Sequence, residues 1–471
     1  MTQRDTKAVE KETEPQQADQ TDNHDGTAPK LSKRAQEALK TANPLTETLL
    51  AKVLGNQYAP ENPEGLLNAG VAENSLMADW LLEHYKKNLN LTFTDLTYGD
   101  ALAGSKRLYG ALLKLFERYF HAIKPVKGEH MICGTGVSAV LDQLTDKICD
   151  EGESILIARP YYNGFDVDVS ARCRASMQGV EIPADVDPAS PKILEYFEAK
   201  LQELKQSGKN TPRAVIMCNP NNPLGFIYPK ETILEYCRFC QRHNLHLISD
   251  EIYALSLYKN KTNTTSPPFQ SILSIDVMQE AQCDPARVHV LYGMSKDFGS
   301  NGLRVGVLVS QHNKQLIKSF NGSAILMKIS SPADVLWTSI IGNEKVLTEY
   351  LDKAQSLASD TLNCTLSWLE KLNIQHSNPV AGHFIWIDLR AFLPNKTSKG
   401  KKLTDGNAKE WELFTRLLDE GNVYLAPGVI YHSTIPGFFR LTFTLRREYL
   451  KVGMERIEGI LKKIEAENAE A

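Results

Sequence analysis

Short apolar runs alternate with amphipathic segments from about Thr94 onward, and this alternation is the main pattern of the sequence. The runs of strand length are SILIARP (154–160), RAVIMCNP (213–220), HLISDE (246–251), VHVLYGMS (288–295) and VGVLVS (305–310). Between them lie segments of helical period, such as SAVLDQLTDKICDEG and KETILEYCRFCQRHN. Because strands that alternate with helices form a mostly parallel sheet covered on both faces, the pattern predicts an α/β domain.

Polar clusters follow the apolar runs at several points along the chain. They read RPYYNG, CNPNNPLG, SDEIY and MSKDFG. In sheets of this kind, ligands bind beyond the carboxyl ends of the strands. The pattern therefore predicts one ligand site at that edge of the sheet, assembled from several loops.

The pattern changes after residue 350. A helical segment comes first, then the strand-like stretches AGHFIWIDL and GFFRLTFTL, and finally the helical YLKVGMERIEGILKKIEAE. This order predicts a smaller α+β domain. Residues 1–30 are rich in Glu, Gln, Asp, Lys and Thr and have little to bury, which predicts a disordered tail. The predicted division is 1–30 tail, 31–93 N-terminal segment packing with the small domain, 94–345 large domain and 346–471 small C-terminal domain.

Composition limits the class of protein. With 471 residues, 42% of them apolar and 23% charged, the chain can form two globular domains. A net charge of −4 favours neither a nucleic-acid nor a membrane partner. No apolar run has the length of a membrane span, and the N-terminal MTQRDTKAVEKETEPQQ lacks a hydrophobic signal core. We therefore expect a soluble, cytoplasmic protein.

The eight cysteines are scattered along the chain. Cys237 and Cys240 form a CxxC, but the surrounding EYCRFCQRHN is helical, and no second pair lies at zinc spacing. Reduced thiols on or under a helix are expected, and no metal site is predicted.

Lys296 lies in YGMSKDFGSNGLRVG, between an apolar strand and a Gly-rich turn, where a surface lysine is less expected. A lysine amine can form an imine with an aldehyde cofactor. Arg304 follows eight residues later, and a guanidinium can bind a phosphate through two hydrogen bonds. The alternative is a solvated surface lysine. The spacing would place both cations on one side of the same loop.

Asp250 ends a predicted buried strand, where an unpaired carboxylate is costly. A protonated pyridine nitrogen would be a suitable partner, and it would make the ring an electron sink. Tyr253, three residues later, could donate its hydroxyl proton to a phenolate oxygen of the same ring. The alternative is an aspartate that caps a turn beside a packed tyrosine.

Three further segments carry polar or aromatic candidates. Asn222 lies in NPNNPLG, whose prolines restrict the backbone, although an Asn-Pro turn is the ordinary alternative. Gly134, Gly136 and Ser138 precede a helix, where backbone N–H groups can bind phosphate. Tyr162 in RPYYNGF could stack on a cofactor ring, or it could be an exposed turn residue.

Arg440 in PGFFRLTF is a charged residue within an apolar strand, which is costly unless the charge is paired. A substrate α-carboxylate is a natural bidentate partner for a guanidinium. The alternative is an internal salt bridge.

The lysine loop, NPxNPxG, SDEIY, PYYxGFD and PGxFR together resemble fold-type I pyridoxal-phosphate (PLP) enzymes of the class I/II aminotransferase superfamily. Within it, the chain resembles 1-aminocyclopropane-1-carboxylate (ACC) synthase and its animal and fungal relatives. The stretches that carry this resemblance are GVAENSL (70–76), PYYNGFDVDV (160–169), SKDFGSNGLRVG (295–306) and PGVIYHSTIPGFFRLTF (427–443). The resemblance implies a large PLP-binding domain with a mostly parallel sheet flanked by helices, plus the smaller α+β domain.

The resemblance also implies roles for individual residues. The catalytic residues would be the Schiff-base lysine Lys296 and Tyr253. The cofactor would contact Asp250 at its ring nitrogen, Tyr253 and Asn222 at its phenolate oxygen, Tyr162 at its ring face, and Arg304, Ser295, Gly136, Val137 and Ser138 at its phosphate. The substrate would contact Arg440 through its carboxylate, and Glu73. Tyr98 matches a tyrosine that reaches the cofactor and substrate of a neighbouring subunit, which implies a homodimer with shared sites.

Two positions depart from the plant synthases. Gly293 stands three residues before Lys296, where those enzymes carry a serine that helps to bind phosphate. Their AENQ is AENS here. Neither change affects the lysine, so the departures concern the substrate rather than the cofactor.

The candidate reactions share their first step, in which Lys296 removes the Cα proton of an amino acid. The leading expectation is ACC-synthase-like α,γ-elimination from S-adenosylmethionine, which gives ACC and methylthioadenosine. Transamination and carbon–sulfur lysis share the same cofactor contacts and remain alternatives. A catalytically silent scaffold or sensor would have no chemical reason to keep Lys296, Asp250, Tyr253, Arg304 and Arg440 together.

Overall fold

The computed structural model describes residues 29–41 and 52–470, which fall into two units, 1–55 and 56–471. The first unit contains helix α1 (Lys33–Thr41). Nearly all of the predicted tail, residues 1–28, lies outside the described residues. The second unit contains all of the other elements described below and every candidate site residue.

The second unit contains one large sheet and two smaller ones. Its strands are β1 (Leu67–Asn68), β2 (Met131–Gly134), β3 (Ser154–Ala158), β4 (Ser176–Val180), β5 (Pro212–Cys218), β6 (His246–Asp250), β7 (Val288–Gly293), β8 (Gly306–Val309), β9 (Phe384–Asp388), β10 (Val423–Tyr424), β11 (Ala426–Pro427) and β12 (Phe438–Thr442). Its α-helices include α2 (Ala78–Asn88), α3 (Lys106–Tyr119), α4 (Val137–Ile148), α5 (Gly164–Ser170), α6 (Ile193–Ser207), α7 (Lys230–His243), α8 (Val277–Ala281), α9 (Lys314–Ser319), α10 (Ser331–Ile341), α11 (Glu344–Lys371), α12 (Gly406–Asp419) and α13 (Arg447–Ala469).

The large sheet has the strand order β2-β8-β7-β6-β5-β3-β4. Strand β8 is antiparallel to both of its neighbours, β2 and β7, and the other neighbouring pairs are parallel. The five predicted strands are confirmed as β3, β5, β6, β7 and β8. Strand β4 was not predicted from the pattern, because SMQGV at the sheet edge is mostly half-buried and has no continuous apolar run.

Both faces of the large sheet are buried, which explains why its central strands are largely apolar. Val215 and Met217 of β5 join the core cluster that contains the buried side of α7. Ala214 and Ile216 of the same strand join the opposite cluster, which contains Val140 and neighbouring residues of α4. Successive side chains of a strand point to opposite faces, so the mostly parallel sheet flanked by helices is confirmed.

The smaller sheets bring residues from the two ends of the second unit together. Strand β12 pairs antiparallel with both β9 and β11, and the short β1 pairs in parallel with β10. The segment after β1 continues beside β12, because Thr442 N–H donates to the Ala69 carbonyl (2.7 Å) and Ser75 N–H donates to the Thr444 carbonyl (2.9 Å). This path places residues 70–73 next to Arg440.

Cys237 and Cys240 are free thiols on α7 and are fully buried in the core. Among the described residues, no group of three or more His, Cys, Asp or Glu side chains could hold a metal ion. Over the same part of the chain, no helix combines the length and apolar character needed to cross a membrane.

Candidate active site

The large sheet brings the candidate residues to one edge. Asp250 is the last residue of β6, Asn222 follows β5 and Lys296 follows β7. Gly293 at the end of β7 pairs with Gly306 at the start of the antiparallel β8, so Arg304 lies at this edge too. The edge is where the carboxyl ends of the parallel strands meet, as predicted from the polar clusters.

The Lys296 amine is half-buried and donates a hydrogen bond to the Ala72 carbonyl (2.7 Å). Burial lowers the pKa of this lysine to about 8 from an ordinary value of 10.5. The positive charge of Arg440 acts in the same direction, whereas the carboxylate of Glu73 opposes it. Because the neutral amine is the nucleophile and the base, this environment makes Lys296 reactive at moderately alkaline pH.

This shift predicts the pH dependence of cofactor capture. The cofactor-free protein should form its absorbance band at about 420 nm with an initial rate that rises with pH and levels off above pH ~8, because the lysine is then neutral. Stopped-flow absorbance measures this rate. A surface lysine would instead show a rate still rising at pH 9. A profile of that kind, or an unchanged band in Lys296→Ala, would contradict the assignment.

Asp250 is buried and has no cation as a hydrogen-bonding partner among the described residues. Its carboxylate accepts from the Ile252 N–H (3.1 Å), and burial raises its pKa to about 7. An acid held at this pKa lacks the positive partner that would keep it ionised. Tyr253, fully buried nearby, has a hydroxyl without any hydrogen-bond partner. A ligand could therefore pair a cationic N–H with the Asp250 carboxylate and an anionic oxygen with the Tyr253 hydroxyl.

Gly136 and Arg304 form a cradle at the N-terminus of α4. Gly136 has a φ of +92°, and a Cβ at this position would overlap the Arg304 guanidinium. Helix α4 begins at Val137, so the backbone N–H groups of its first turn open toward the same space. Arg304 is exposed and donates to the Asn301 carbonyl (2.9 Å). A helix N-terminus beside a guanidinium is a suitable site for a phosphate.

Steric crowding explains why position 293 is a glycine. A Cβ there would lie 2.6 Å from the Val305 carbonyl oxygen and 3.1 Å from the Cα of Gly306. A serine could not enter without separating β7 from β8. The close approach of these two backbones therefore requires a glycine at this position, and Ser295, which is buried beside Lys296, keeps a hydroxyl in the loop.

Arg440 is buried, with only 3% of its surface exposed, and is stacked between the rings of Phe384 (4.9 Å) and Tyr431 (4.8 Å). It donates to the Asn222 side-chain oxygen (3.0 Å) and to the Gly70 carbonyl (2.6 Å). Both acceptors are neutral, and the internal salt bridge considered as an alternative is not formed among the described residues. A buried guanidinium without a counter-charge favours an anionic ligand.

Glu73 contributes a further carboxylate to the site, beside the cationic Lys296. It accepts from the Asn301 side-chain amide (2.9 Å), and its charge acts on Lys296. Tyr162 is half-buried in the same region, and its pKa is raised chiefly by burial. Its hydroxyl also feels the charges of Asp168, Arg440, Asp250 and Arg304.

Tyr98 is not drawn into this group within the chain, because 74% of its surface is exposed. It follows Phe93 and Leu96, which are 82% and 76% exposed. Apolar side chains exposed in a cluster mark an interaction surface rather than a solvated face.

The structure adds residues that sequence reasoning missed. Asp168 contacts Ser138, and burial raises its pKa to about 6. Asp297, next to Lys296, accepts from the hydroxyls of Ser256 (2.6 Å) and Tyr292 (2.8 Å). His383 is buried in the apolar AGHFIWIDL. A buried polar residue within an apolar stretch was the available signal, but its partners come from distant segments.

Together, these observations fit a flat ring with a cationic nitrogen, a phenolate oxygen, a phosphate and an aldehyde. Asp250 would pair with the ring nitrogen, and the Tyr253 hydroxyl would donate to the phenolate oxygen. The Gly136–Arg304 cradle would hold the phosphate, and Lys296 would bond to the aldehyde. This set of groups on a mostly parallel sheet defines a fold-type I enzyme that uses pyridoxal 5′-phosphate.

The chain belongs to the class I and II aminotransferase family, whose model matches residues 65–457. It is 32% identical to the probable aminotransferase gliI of Aspergillus fumigatus over 84% of this chain and 89% of that protein. It is 28% identical to ACC synthase 1 of Cucurbita pepo over 87% of this chain and 81% of that one. The solved structure of Bna3p from Saccharomyces cerevisiae covers 92% of this chain and 100% of its own, with a TM-score of 0.71 at 20% identity.

Proposed function

We propose that this PLP-dependent enzyme removes the Cα proton of an α-amino acid and that S-adenosylmethionine is its substrate, as in ACC synthase. The proposal is carried by one observation. Glu73 lies on the segment next to Arg440, and its carboxylate acts electrostatically on Lys296. A site that offers a guanidinium to the substrate carboxylate, and a carboxylate on the neighbouring segment, suits a substrate that also carries a cation.

The chain's own residues have distinct tasks. When bound, PLP supplies an aldehyde for the substrate amine and a ring that withdraws electrons from Cα. Arg440 binds the α-carboxylate with its fork of donors, and Asn222 keeps that fork oriented. The neutral amine of Lys296 accepts the Cα proton. Tyr253 donates from its hydroxyl, and Asp250 supplies negative charge at the ring nitrogen.

The balanced reaction breaks the Cα–H and Cγ–S bonds and forms a Cα–Cγ bond. The electron pair of the Cα–H bond makes the new ring bond, and that of the Cγ–S bond leaves with sulfur. The positive charge of the sulfonium is neutralised as methylthioadenosine departs, and the proton stays on Lys296 until it is lost to solvent. Holding Cα, Cγ and sulfur in line is the main geometric demand on the site.

Glu73→Gln tests the proposal. The amide still accepts from Asn301 but has no charge, so kcat/KM for S-adenosylmethionine should fall by about 10- to 100-fold, as for a lost charge-assisted hydrogen bond. Mass spectrometry of ACC and methylthioadenosine gives the rate. Glu83→Gln, on the exposed side of α2, is the matched control and should behave as the wild type. Absence of both products from the wild type would refute the S-adenosylmethionine assignment.

Transamination is a second candidate, supported by the 32% identity to a relative named as an aminotransferase. Its signature is conversion of the cofactor to its amine form by an amino acid, reversed by a 2-oxo acid. The same Glu73→Gln variant distinguishes the two reactions. Transamination of an amino acid with a neutral side chain, such as methionine, should proceed in the variant at nearly the wild-type rate.

We further propose that two copies of the chain share their active sites. The exposed Phe93, Leu96 and Tyr98 would be covered by the partner, and Tyr98 would enter the partner's site.

The domain division at residues 31–93, 94–345 and 346–471 remains part of the proposal, supported by the pairing of β1 with β10. A cytoplasmic location also stays a prediction.

A further inference from the structure

Two loops that carry candidate site residues are joined by a side-chain cluster outside the site itself. The first loop follows β3 and contains Tyr161 next to Tyr162. The second precedes β12 and contains Tyr431 next to His432. The Tyr161 N–H donates to the Tyr431 carbonyl (3.0 Å), so the backbones touch directly.

Asp166, in the first turn of α5, connects the two loops. One of its carboxylate oxygens lies 2.6 Å from Nε2 of His432, and the other accepts from the Tyr161 hydroxyl (2.9 Å). The Tyr161 and His432 rings are stacked, with centroids 4.3 Å apart and planes 19° apart. Both oxygens of one carboxylate are thus used to hold two stacked rings from different loops.

The loop that contains His432 is itself anchored to the substrate side of the site. The Glu410 carboxylate accepts from the Val429 N–H (2.8 Å) and the Gly437 N–H (2.5 Å), on either side of His432. Tyr431, the residue before His432, supports the Arg440 guanidinium with its ring. A shift at His432 is therefore transmitted to Arg440 through one peptide bond and one ring contact.

The opposite loop is anchored to the cofactor side. Tyr162 follows Tyr161 directly, and a Cβ at Gly164 would overlap the Tyr162 ring, so the backbone between them is tightly folded. Asp166 lies two residues beyond that glycine. The His432–Asp166 pair thus spans from the residues that hold the ring face to those that hold the carboxylate.

We propose that His432 is a positioning residue which, through Asp166 and Tyr161, fixes the separation between Tyr162 and the Tyr431–Arg440 pair. The proposal rests on the roles proposed above for Tyr162 and Arg440. His432 does not touch the reacting atoms. Side chains that hold a site in place through packing and hydrogen bonds control how well the substrate is aligned.

The chain provides a matched control for this pair. His243, three residues before the start of β6, also places Nε2 against a carboxylate, that of Glu198, at 2.7 Å. It lies at the edge of the sheet opposite the site, because β6 begins at His246 and ends at Asp250. Breaking either pair should cost similar stability, whereas only the His432 pair should affect ligand binding.

The test compares His432→Asn and His432→Gln as holoenzymes. The Gln amide nitrogen occupies nearly the position of Nε2 and can still donate to Asp166, whereas the shorter Asn places its amide near Nδ1 and cannot. The probe is 2-aminoisobutyrate, which has a methyl group in place of the Cα proton and so binds without turnover. Its dissociation constant is measured from the change in cofactor absorbance, and hydrogen exchange reports the Tyr161 amide.

His432→Asn should raise the dissociation constant of 2-aminoisobutyrate, and KM for the active substrate, by about 5- to 10-fold, with kcat changed by less than about 2-fold. Exchange at the Tyr161 amide should accelerate. His432→Gln should restore the dissociation constant, KM and the exchange rate, and His243→Asn should leave all three at wild-type levels.

An unchanged dissociation constant and unchanged exchange in His432→Asn would overturn the proposal, as would an equal loss of binding in His243→Asn. Failure of the wild type to turn over S-adenosylmethionine would instead refute the proposed reaction alone. The probe and the amide exchange report on the loops whatever becomes of the substrate.

Discussion

Lys296→Ala is expected to abolish the absorbance band at about 420 nm and to lower kcat/KM by at least ~10²- to 10⁴-fold, the usual contribution of a general base. The variant loses both the amine that holds the cofactor and the base that accepts the Cα proton. Its neighbours should keep their places, since the Nζ hydrogen bond is to a single backbone carbonyl, that of Ala72. Absorbance and product formation measure the two losses separately.

Lys409→Ala is the control, because its amine also makes a single hydrogen bond, to Asn395, but on α12 away from the site. It should retain both the band and the activity. Recovery of activity in Lys296→Ala on addition of a small amine would support the role as base. A variant that keeps the band would show that the cofactor is held by another lysine.

The same variant tests whether sites are shared between two copies. If Tyr98 enters the partner's site, Lys296→Ala and Tyr98→Ala lose activity by damaging different halves of one site. Hybrids formed by mixing the two would contain one intact site, so a random mixture should recover about a quarter of wild-type activity. No recovery, despite hybrids seen by native mass spectrometry, would place Tyr98 in the site of its own chain. Full activity of Tyr98→Ala alone would place it outside the site.

Arg440→Lys is expected to raise KM for an α-amino acid by ~10²- to 10³-fold, the range seen when a buried charged hydrogen-bonding partner is removed. Lysine keeps the positive charge, but it cannot donate to Asn222 and to a carboxylate from one planar fork. It also loses the stacking between Phe384 and Tyr431. The dissociation constant of 2-aminoisobutyrate checks the effect without turnover.

Isopropylamine, which has no carboxylate, is the control ligand for Arg440→Lys. Its affinity should be the same in the variant and the wild type, because Arg440 has nothing to bind in it. An equal loss for both ligands would mean that the substitution had damaged the pocket rather than removed a specific contact. Thermal unfolding identifies that case, since Arg440 is buried in β12.

The sequence was sufficient for the elements whose signals are local. The largely apolar runs of β5, β6 and β7 identify strands buried on both faces, because they lack the regular alternation of polar and apolar residues typical of a strand with one solvated face. Asp250 and Lys296 were recognisable for the same reason: each is a charged residue directly after such a run. Motif resemblance then supported the roles inferred for Tyr253 and Arg440 and added one for Asn222, because the individual signals of these residues are common in turns and strands.

Other features depended on contacts between distant segments. The bond from Arg440 to Asn222 joins residues 218 positions apart, and nothing in either segment specifies it. The steric need for Gly293 arises from the close backbone of β8, and so was invisible in the motif itself. Asp297 and His383 look like ordinary polar residues in the sequence. In the structure, the Ser256 hydroxyl lies within hydrogen-bonding distance of both.

The sequence by itself determined the class of fold and the cofactor, because strand burial and the lysine loop are encoded in short stretches. The residues that would contact the cofactor stay a prediction. The tertiary structure alone decided that Glu73 and Arg440 lie close to Lys296 and that His432 pairs with Asp166. The first of these relations arises when residues 65–76 pack beside β12, and the packing of segments more than 350 positions apart follows from the whole core rather than from either segment.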